Sequence, residues 1–254
     1  MAKIKRKVKR RLKKLGIFCL IILGGFLIFE AAQYYLVSSE DLIPDDQVKD
    51  YYNVSDFGFI RVTSEKDYNG NGIDDTTDIL NGERKEVEAN PKYVDKYYEN
   101  GYPPAGEGVC TDLIWRSFKE AGYDLKSMIS TDIRKITKNK AYKIGLIDDN
   151  IDFRRVVNQE IFFQRYAEEL TTDYYELGEF MPGDILTFNN SEHIAMVSDK
   201  YNVKGIPYLI QNRDEKQKQK EADRLEKTDM KLTGHYRFMY NDKVKKLLDK
   251  IQNT

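Results

Sequence analysis

The sequence predicts an α+β domain, with helices first and an antiparallel sheet second. Three observations carry this. Apolar residues recur at helical spacing in the first half, as in Leu113, Ile114, Phe118 and Ala121. Short apolar runs bounded by turn residues fill the stretch 181–240. The tail then returns to an amphipathic pattern, with Val244, Leu247, Leu248 and Ile251 on one face.

Ahead of that domain, residues 1–14 hold nine Lys or Arg and no acid, and no charge interrupts Leu15 to Phe29. Residues 15–37 are long enough, at about 1.5 Å per residue, to cross a ~30 Å hydrocarbon layer. Glu30 and Gln33 would sit at the outer interface with Tyr34 and Tyr35. The expectation is a cytoplasmic basic tail (1–14), a single-pass transmembrane anchor (15–37), a linker (38–60) and an extracytoplasmic domain. A cleaved signal would want small residues three and one before the cut, and Val37/Ser39 is a poor pair. Phe18 before Cys19 does not suit a lipoprotein, so Cys19 reads as a membrane-buried apolar residue. Residues 38–254 carry 32 basic and 41 acidic side chains, a net charge of −9. That balance argues against nucleic acid as a partner.

The elements follow in order. Residues 76–90 read as a helix with a polar start, and Pro91 opens a further short helix through Tyr98. "NGYPPAGEG" (100–108) is a loop. A helix runs from Val109 to Ala121, with Gly122 placed to end it, and further helical signal spans 123–178. "MPGDILTF" is a turn and a strand, "HIAMVSD" a second strand, and "IPYLIQN" a third after a turn at Val203–Gly205. A charged excursion (213–231) leads to a fourth strand in "LTGHYRFMY", making an antiparallel meander with a C-terminal helix at 241–254.

The domain has one cysteine, Cys110, at the start of a helix after a Pro- and Gly-rich loop. A thiol attacks as thiolate, and both a helix N-terminus and a nearby imidazole favour that form. The chain offers two histidines, His193 and His235. His193 opens a strand, and the next strand ends in Gln211 and Asn212, either of which could hold the far ring nitrogen. Strand alternation allows only one of them on the His193 face. His235 reads as a packing residue.

"GVCTD", "NIDFRRV", "PGDI", "HIAMVSD" and "TGHYR", in this order over residues 60–240, resemble the NlpC-type peptidases, and most closely their branch known as domain-of-unknown-function family 1287. The resemblance implies a papain-like fold over residues 61–240 and attack on cell-wall peptides. It makes Cys110 the nucleophile, His193 the general base and Gln211 the orienting group. That branch carries histidine where this chain has Gln211, and another near Phe153. Tyr102, Arg154 and Arg155 are candidates for gripping substrate, the arginines through a carboxylate. The implied activity is a membrane-anchored bacterial cysteine hydrolase acting on peptidoglycan stem peptides or a similar amide. The alternatives are a non-hydrolytic wall-binding scaffold or an acyltransferase.

A second constellation is "DYNGNGIDDTTD". Asp67, Asn69, Asn71, the Ile73 carbonyl, Asp75 and Asp78 fall at positions 1, 3, 5, 7, 9 and 12 of an EF-hand-type loop, with Gly72 at position 6. The loop (67–78) resembles those of dockerin modules, and hard oxygen ligands at this spacing suit a structural calcium ion. Catalysis itself would need no cofactor.

Overall fold

The computed structural model describes residues 50–136, 141–142 and 144–253. The basic tail, the anchor at 15–37 and the linker up to residue 49 lie outside the described residues. Among the described residues no helix is long and apolar enough to cross a membrane. One compact unit runs from Tyr51 to Thr254.

Among the described residues, five α-helices and eight strands make this unit an α+β domain. Helices α1 (Asp75–Glu88), α2 (Cys110–Glu120), α3 (Leu125–Ile136) and α4 (Val156–Tyr166) precede the main strands, and α5 (Asp242–Gln252) follows them. Asp74 starts α1 by accepting the N–H of Thr77, and Asn241 starts α5 by accepting those of Lys243 and Val244. Helices α1 and α2 pack closely because Gly82 has no side chain. A Cβ at Gly82 would stand 2.9 Å from both the Cα and the carbonyl oxygen of Ser117. Val244, Leu247 and Leu248 carry α5 into the same core.

The main sheet orders its strands β3-β8-β4-β5-β6-β7, with every neighbouring pair antiparallel. These are β3 (Glu168–Glu169), β4 (Ile185–Phe188), β5 (His193–Tyr201), β6 (Pro207–Ile210), β7 (Glu221–Ala222) and β8 (Leu232–Arg237). Alternation divides the central strands between two cores. Ile185, Ile194, Met196, Ile210 and Tyr236 pack among the helices. Leu186, Phe188, Ala195, Val197 and Leu209 pack on the other side with Phe180, Leu225 and Leu232.

Three departures from the sequence reading have clear causes. The meander holds for β4, β5 and β6, but β8 returns to the far side of β4. Residues 91–98 do not form a helix. Instead β1 (Lys92–Tyr93) pairs in parallel with β2 (Glu107–Gly108), and Lys92 and Val94 donate their N–H groups to the carbonyls of Gly106 and Gly108. Pro91 therefore precedes a paired segment that closes the 94–106 loop. Residues 51–60, read as linker, pack on the domain. Tyr52 exchanges both backbone hydrogen bonds with Tyr201, and Phe57 and Phe59 pack against the Tyr201 ring.

Candidate active site

Asp112 fixes the start of α2. Its carboxylate accepts the N–H of Val109 at 2.8 Å and the indole N–H of Trp115 at 2.9 Å. Arg154 meets the same carboxylate through Nε at 2.6 Å and Nη2 at 2.8 Å. The two side chains of this pair are 1% and 0% exposed, so the charges compensate each other out of water. Gly108 makes room for it, since a Cβ there would come within 2.9 Å of the Asp112 Cβ. The Thr111 hydroxyl donates to the Arg154 carbonyl, and the Gln159 amide donates to the carbonyls of Thr111 and Phe153. The short 3-10 turn Asp152–Arg154 is thereby clamped onto the helix mouth.

Cys110 is the first residue of that helix and is buried. Its side chain packs in the same core as Ile194, and the backbone N–H groups of Ile194, Thr111 and Cys110 itself favour its thiolate form. Ile194 directly follows His193, so the mouth of α2 meets the first residues of β5. His193 is also buried, and its Nε2 lies 2.6 Å from Gln211 Oε1. An amide oxygen can only accept, so Nε2 carries the ring proton and Nδ1 keeps its lone pair. Nδ1 makes no hydrogen bond to a described residue.

The register decides between the two polar residues that follow β6. Ile210 pairs with Met196, which places Gln211 on the His193 face and Asn212 on the opposite one. Asn212 is not idle. Its amide donates to the Gly108 carbonyl at 2.9 Å, two residues before Cys110. Adjacent residues thus hold the two halves of the site, Gln211 the imidazole and Asn212 the cysteine loop.

Burial sets the charge state. It pulls His193 down to about 4, against a smaller opposing effect of Gln211, and pushes the Cys110 thiol up to about 12. The three N–H groups favour the thiolate, but desolvation outweighs them. At neutral pH the buried thiol and the buried imidazole both rest uncharged, and His193 Nδ1 keeps a lone pair that can accept a proton.

The other expected site residues divide differently. The Tyr102 ring packs on Trp115 and Phe153, with the Lys126 ammonium 4.6 Å from its centroid. Arg154 is a correction. Its guanidinium is saturated by Asp112 and by the Lys96 carbonyl, so it holds the fold and is not free for substrate. Arg155 is exposed and stands 3.8 Å from Asp152. His235 belongs to a separate buried network, with Nε2 2.8 Å from Asp184 and Nδ1 2.7 Å from the Thr171 carbonyl. Arg237 braces the same Asp184. Sequence reasoning passed over Asp112 and Tyr93, and considered Asn212 only as an alternative to Gln211. Tyr93 lies within electrostatic reach of Cys110, and burial raises its hydroxyl above the ordinary value, with the cysteine adding to the effect.

In the 67–78 loop, Asp67 accepts the N–H groups of Gly70, Asn71 and Gly72. The amides of Asn69 and Asn71 both donate to Asp78, at 2.8 and 2.9 Å. These side chains therefore converge. Asp75 turns away, accepting from the Tyr123 hydroxyl at 2.5 Å and the Tyr68 N–H at 2.7 Å. Among the described residues no three His, Cys, Asp or Glu side chains gather as a metal site, because two of the convergent groups here are amides.

The geometry can be set beside known proteins. Residues 80–238 match the family model described as Domain of unknown function (DUF1287), and the chain belongs to that family. It is 30% identical over 169 residues to "Uncharacterized protein YijF" of Escherichia coli (strain K12), covering 63% of this chain and 80% of that protein. No solved structure matches.

The Asp112–Arg154 pair gives a direct test. Arg154→Met leaves a buried carboxylate without its guanidinium and is expected to cost about 3–5 kcal/mol of stability. Urea unfolding followed by circular dichroism measures this. A change within about 0.5 kcal/mol, the range usual for surface substitutions, would contradict the assignment.

Proposed function

We propose that the chain is a membrane-anchored, outward-facing cysteine hydrolase of papain-like type that cleaves peptidoglycan stem peptides or a similar amide. The observation that carries this reading is the hydrogen bond between the His193 ring and Gln211, on a strand whose next residue, Ile194, packs in the same core as Cys110 at the mouth of α2. A nucleophile, a base and an orienting group fall in the order such chemistry needs. The basic tail and apolar run at 1–37 support the anchor.

The mechanism is general-base acyl transfer. As Cys110 Sγ bonds to the amide carbon, its proton passes to His193 Nδ1. Gln211 accepts from Nε2–H throughout and holds the ring. The carbonyl oxygen gains charge, and in this mechanism backbone N–H groups at the α2 mouth receive it. The imidazolium gives its proton to the leaving amine as the C–N bond breaks. Neutral His193 then takes a proton from water, whose oxygen attacks the thioester, and Cys110 leaves as the thiol.

Two outcomes test the reading on purified sacculi. Cys110→Ala abolishes release of muropeptide fragments without changing the fold, while His193→Ala lowers kcat by about 10²–10⁴-fold. The acid limb of kcat/KM follows protonation of His193, which removes the base. Because burial pulls that group down to about 4, activity persists to a pH well below the ordinary histidine value of 6.5. Unchanged release by Cys110→Ala would end the proposal, and an acid limb at the ordinary value would end the buried-base mechanism. A wall-binding scaffold is the second reading, favoured by the desolvation that keeps the thiol protonated. It predicts binding to sacculi with no release.

We also propose a structural calcium ion in the 67–78 loop. The convergent set is Asp67, Asn69, Asn71 and Asp78 with the Ile73 carbonyl, with Asp75 left to Tyr123. The ion would supply rigidity and no catalytic chemistry, at an affinity of about 10⁻⁴–10⁻³ M. Millimolar calcium is expected to raise the Tm of the wild type but not of Asp67→Ala, and equal responses would refute the site.

A further inference from the structure

Two clefts meet on the excursion that follows β6. One, of about 650 Å³, is lined by Tyr93, Lys92, Asp214, Lys218 and Lys220 among others. The other, of about 490 Å³, is bounded by Gln211 and shares Asp214, Gln217 and Lys218 with the first. The second thus reaches the residue that holds the His193 imidazole, and the first is lined by Tyr93, which feels the Cys110 charge. Their walls carry Lys92, Arg213, Lys216, Lys218, Lys220 and Arg224 against two acids, Asp214 and Glu215. The remainder of the chain beyond residue 37 is strongly acidic, so this local reversal of sign marks the surface as one that attracts anions.

Lys220 stands out within the set. It is only 8% exposed, and its backbone carbonyl accepts the Gln211 N–H at 2.8 Å, opposite the residue that holds His193. Its ammonium makes no hydrogen bond or ion pair with a described residue. Asp214 is near enough to favour its charge but does not contact it. By contrast, Arg213 on the same excursion is paired with Asp229 at 2.9 Å. A cation whose stem is buried in a cleft wall and whose ammonium has no protein partner gains from a charged ligand that completes its shell.

We propose that these clefts form an anion-reading subsite of the substrate groove, anchored by Lys220, and that the substrate is a peptide bearing a free carboxylate close to the scissile amide. The proposal rests on the hydrolase reading for the word substrate, but the subsite itself does not. Burial lowers the Lys220 ammonium from its ordinary value, and a bound carboxylate would reverse that. Lys218 and Lys92 lie at the exposed rim, where they steer an acidic peptide rather than hold it.

The experiment uses the full-length Cys110→Ala chain in detergent and titration calorimetry. The probes are muropeptides solubilised from sacculi, either native or with their carboxyls converted to carboxamides, and inorganic phosphate. Native muropeptides are expected to bind about tenfold more tightly than the amidated ones, the usual worth of one charge-assisted contact. Lys220→Gln should remove that difference by weakening the native form alone, and Lys220→Arg, which keeps charge and packing, should retain most of it. Phosphate should compete poorly. Equal affinity for native and amidated probes, no binding of either, or displacement by an equal concentration of phosphate would overturn the subsite. Failure of the two readings can be told apart. Carboxylate-dependent binding by a wild type that releases nothing would sink hydrolysis and keep the subsite. Release unaffected by amidation or by Lys220→Gln would do the reverse.

Discussion

The buried carboxylate of Asp112 is the constraint on which the candidate site depends. One side chain receives the Val109 N–H, the Trp115 indole and the Arg154 guanidinium, and so fixes where α2 begins. The first residue of a helix is a special position because its N–H groups have no intrahelical acceptor and point outward. Cys110 occupies that position only while Asp112 holds the preceding loop in place. The buried ion pair is thus better understood as a positioning device than as a source of net stability, since desolvation offsets much of its attraction.

A second layer of positioning comes from β6. Gln211 and Asn212 are neighbours in sequence and face opposite sides of the strand, and each reaches a different half of the site. Asn212 couples the sheet to the helix mouth, while its neighbour Gln211 holds the imidazole within the sheet. The arrangement also accounts for the charge state. Packing that brings sulfur and imidazole into a dry interior favours the neutral forms of both. Proton transfer then belongs to the reaction itself rather than to the resting state.

Much of the fold was legible because its signals were local. The helical spacing after Val109, the β4, β5 and β6 runs and the amphipathic tail all formed elements close to where the pattern placed them. What could not be read depended on partners distant in the chain. The partner of Arg154 could not be named because Asp112 lies 42 positions away, and only the folded chain brings them together. The choice between Gln211 and Asn212 turned on strand register, which a bulge between Val197 and Tyr201 makes unreadable from alternation alone. Pro91 carried a helix-start signal that pairing with the 106–108 segment overrode. Cys110, His193 and Gln211 were legible as residue types in order. The support from Asp112 and the bond of Asn212 to Gly108 were not, since a buried acid or amide leaves no periodic mark of its partner.

The claim beneath all of this is that cysteine, histidine and glutamine act as one unit. The rate of Cys110 modification by iodoacetamide, followed by mass spectrometry across pH in wild type, His193→Ala and Gln211→Ala, reads that coupling without requiring a known substrate. The account predicts labelling that slows by about tenfold or more without the imidazole, and by an intermediate amount without the amide that orients it. Indistinguishable rate profiles for the three proteins would show a thiol indifferent to its neighbours and would contradict the account.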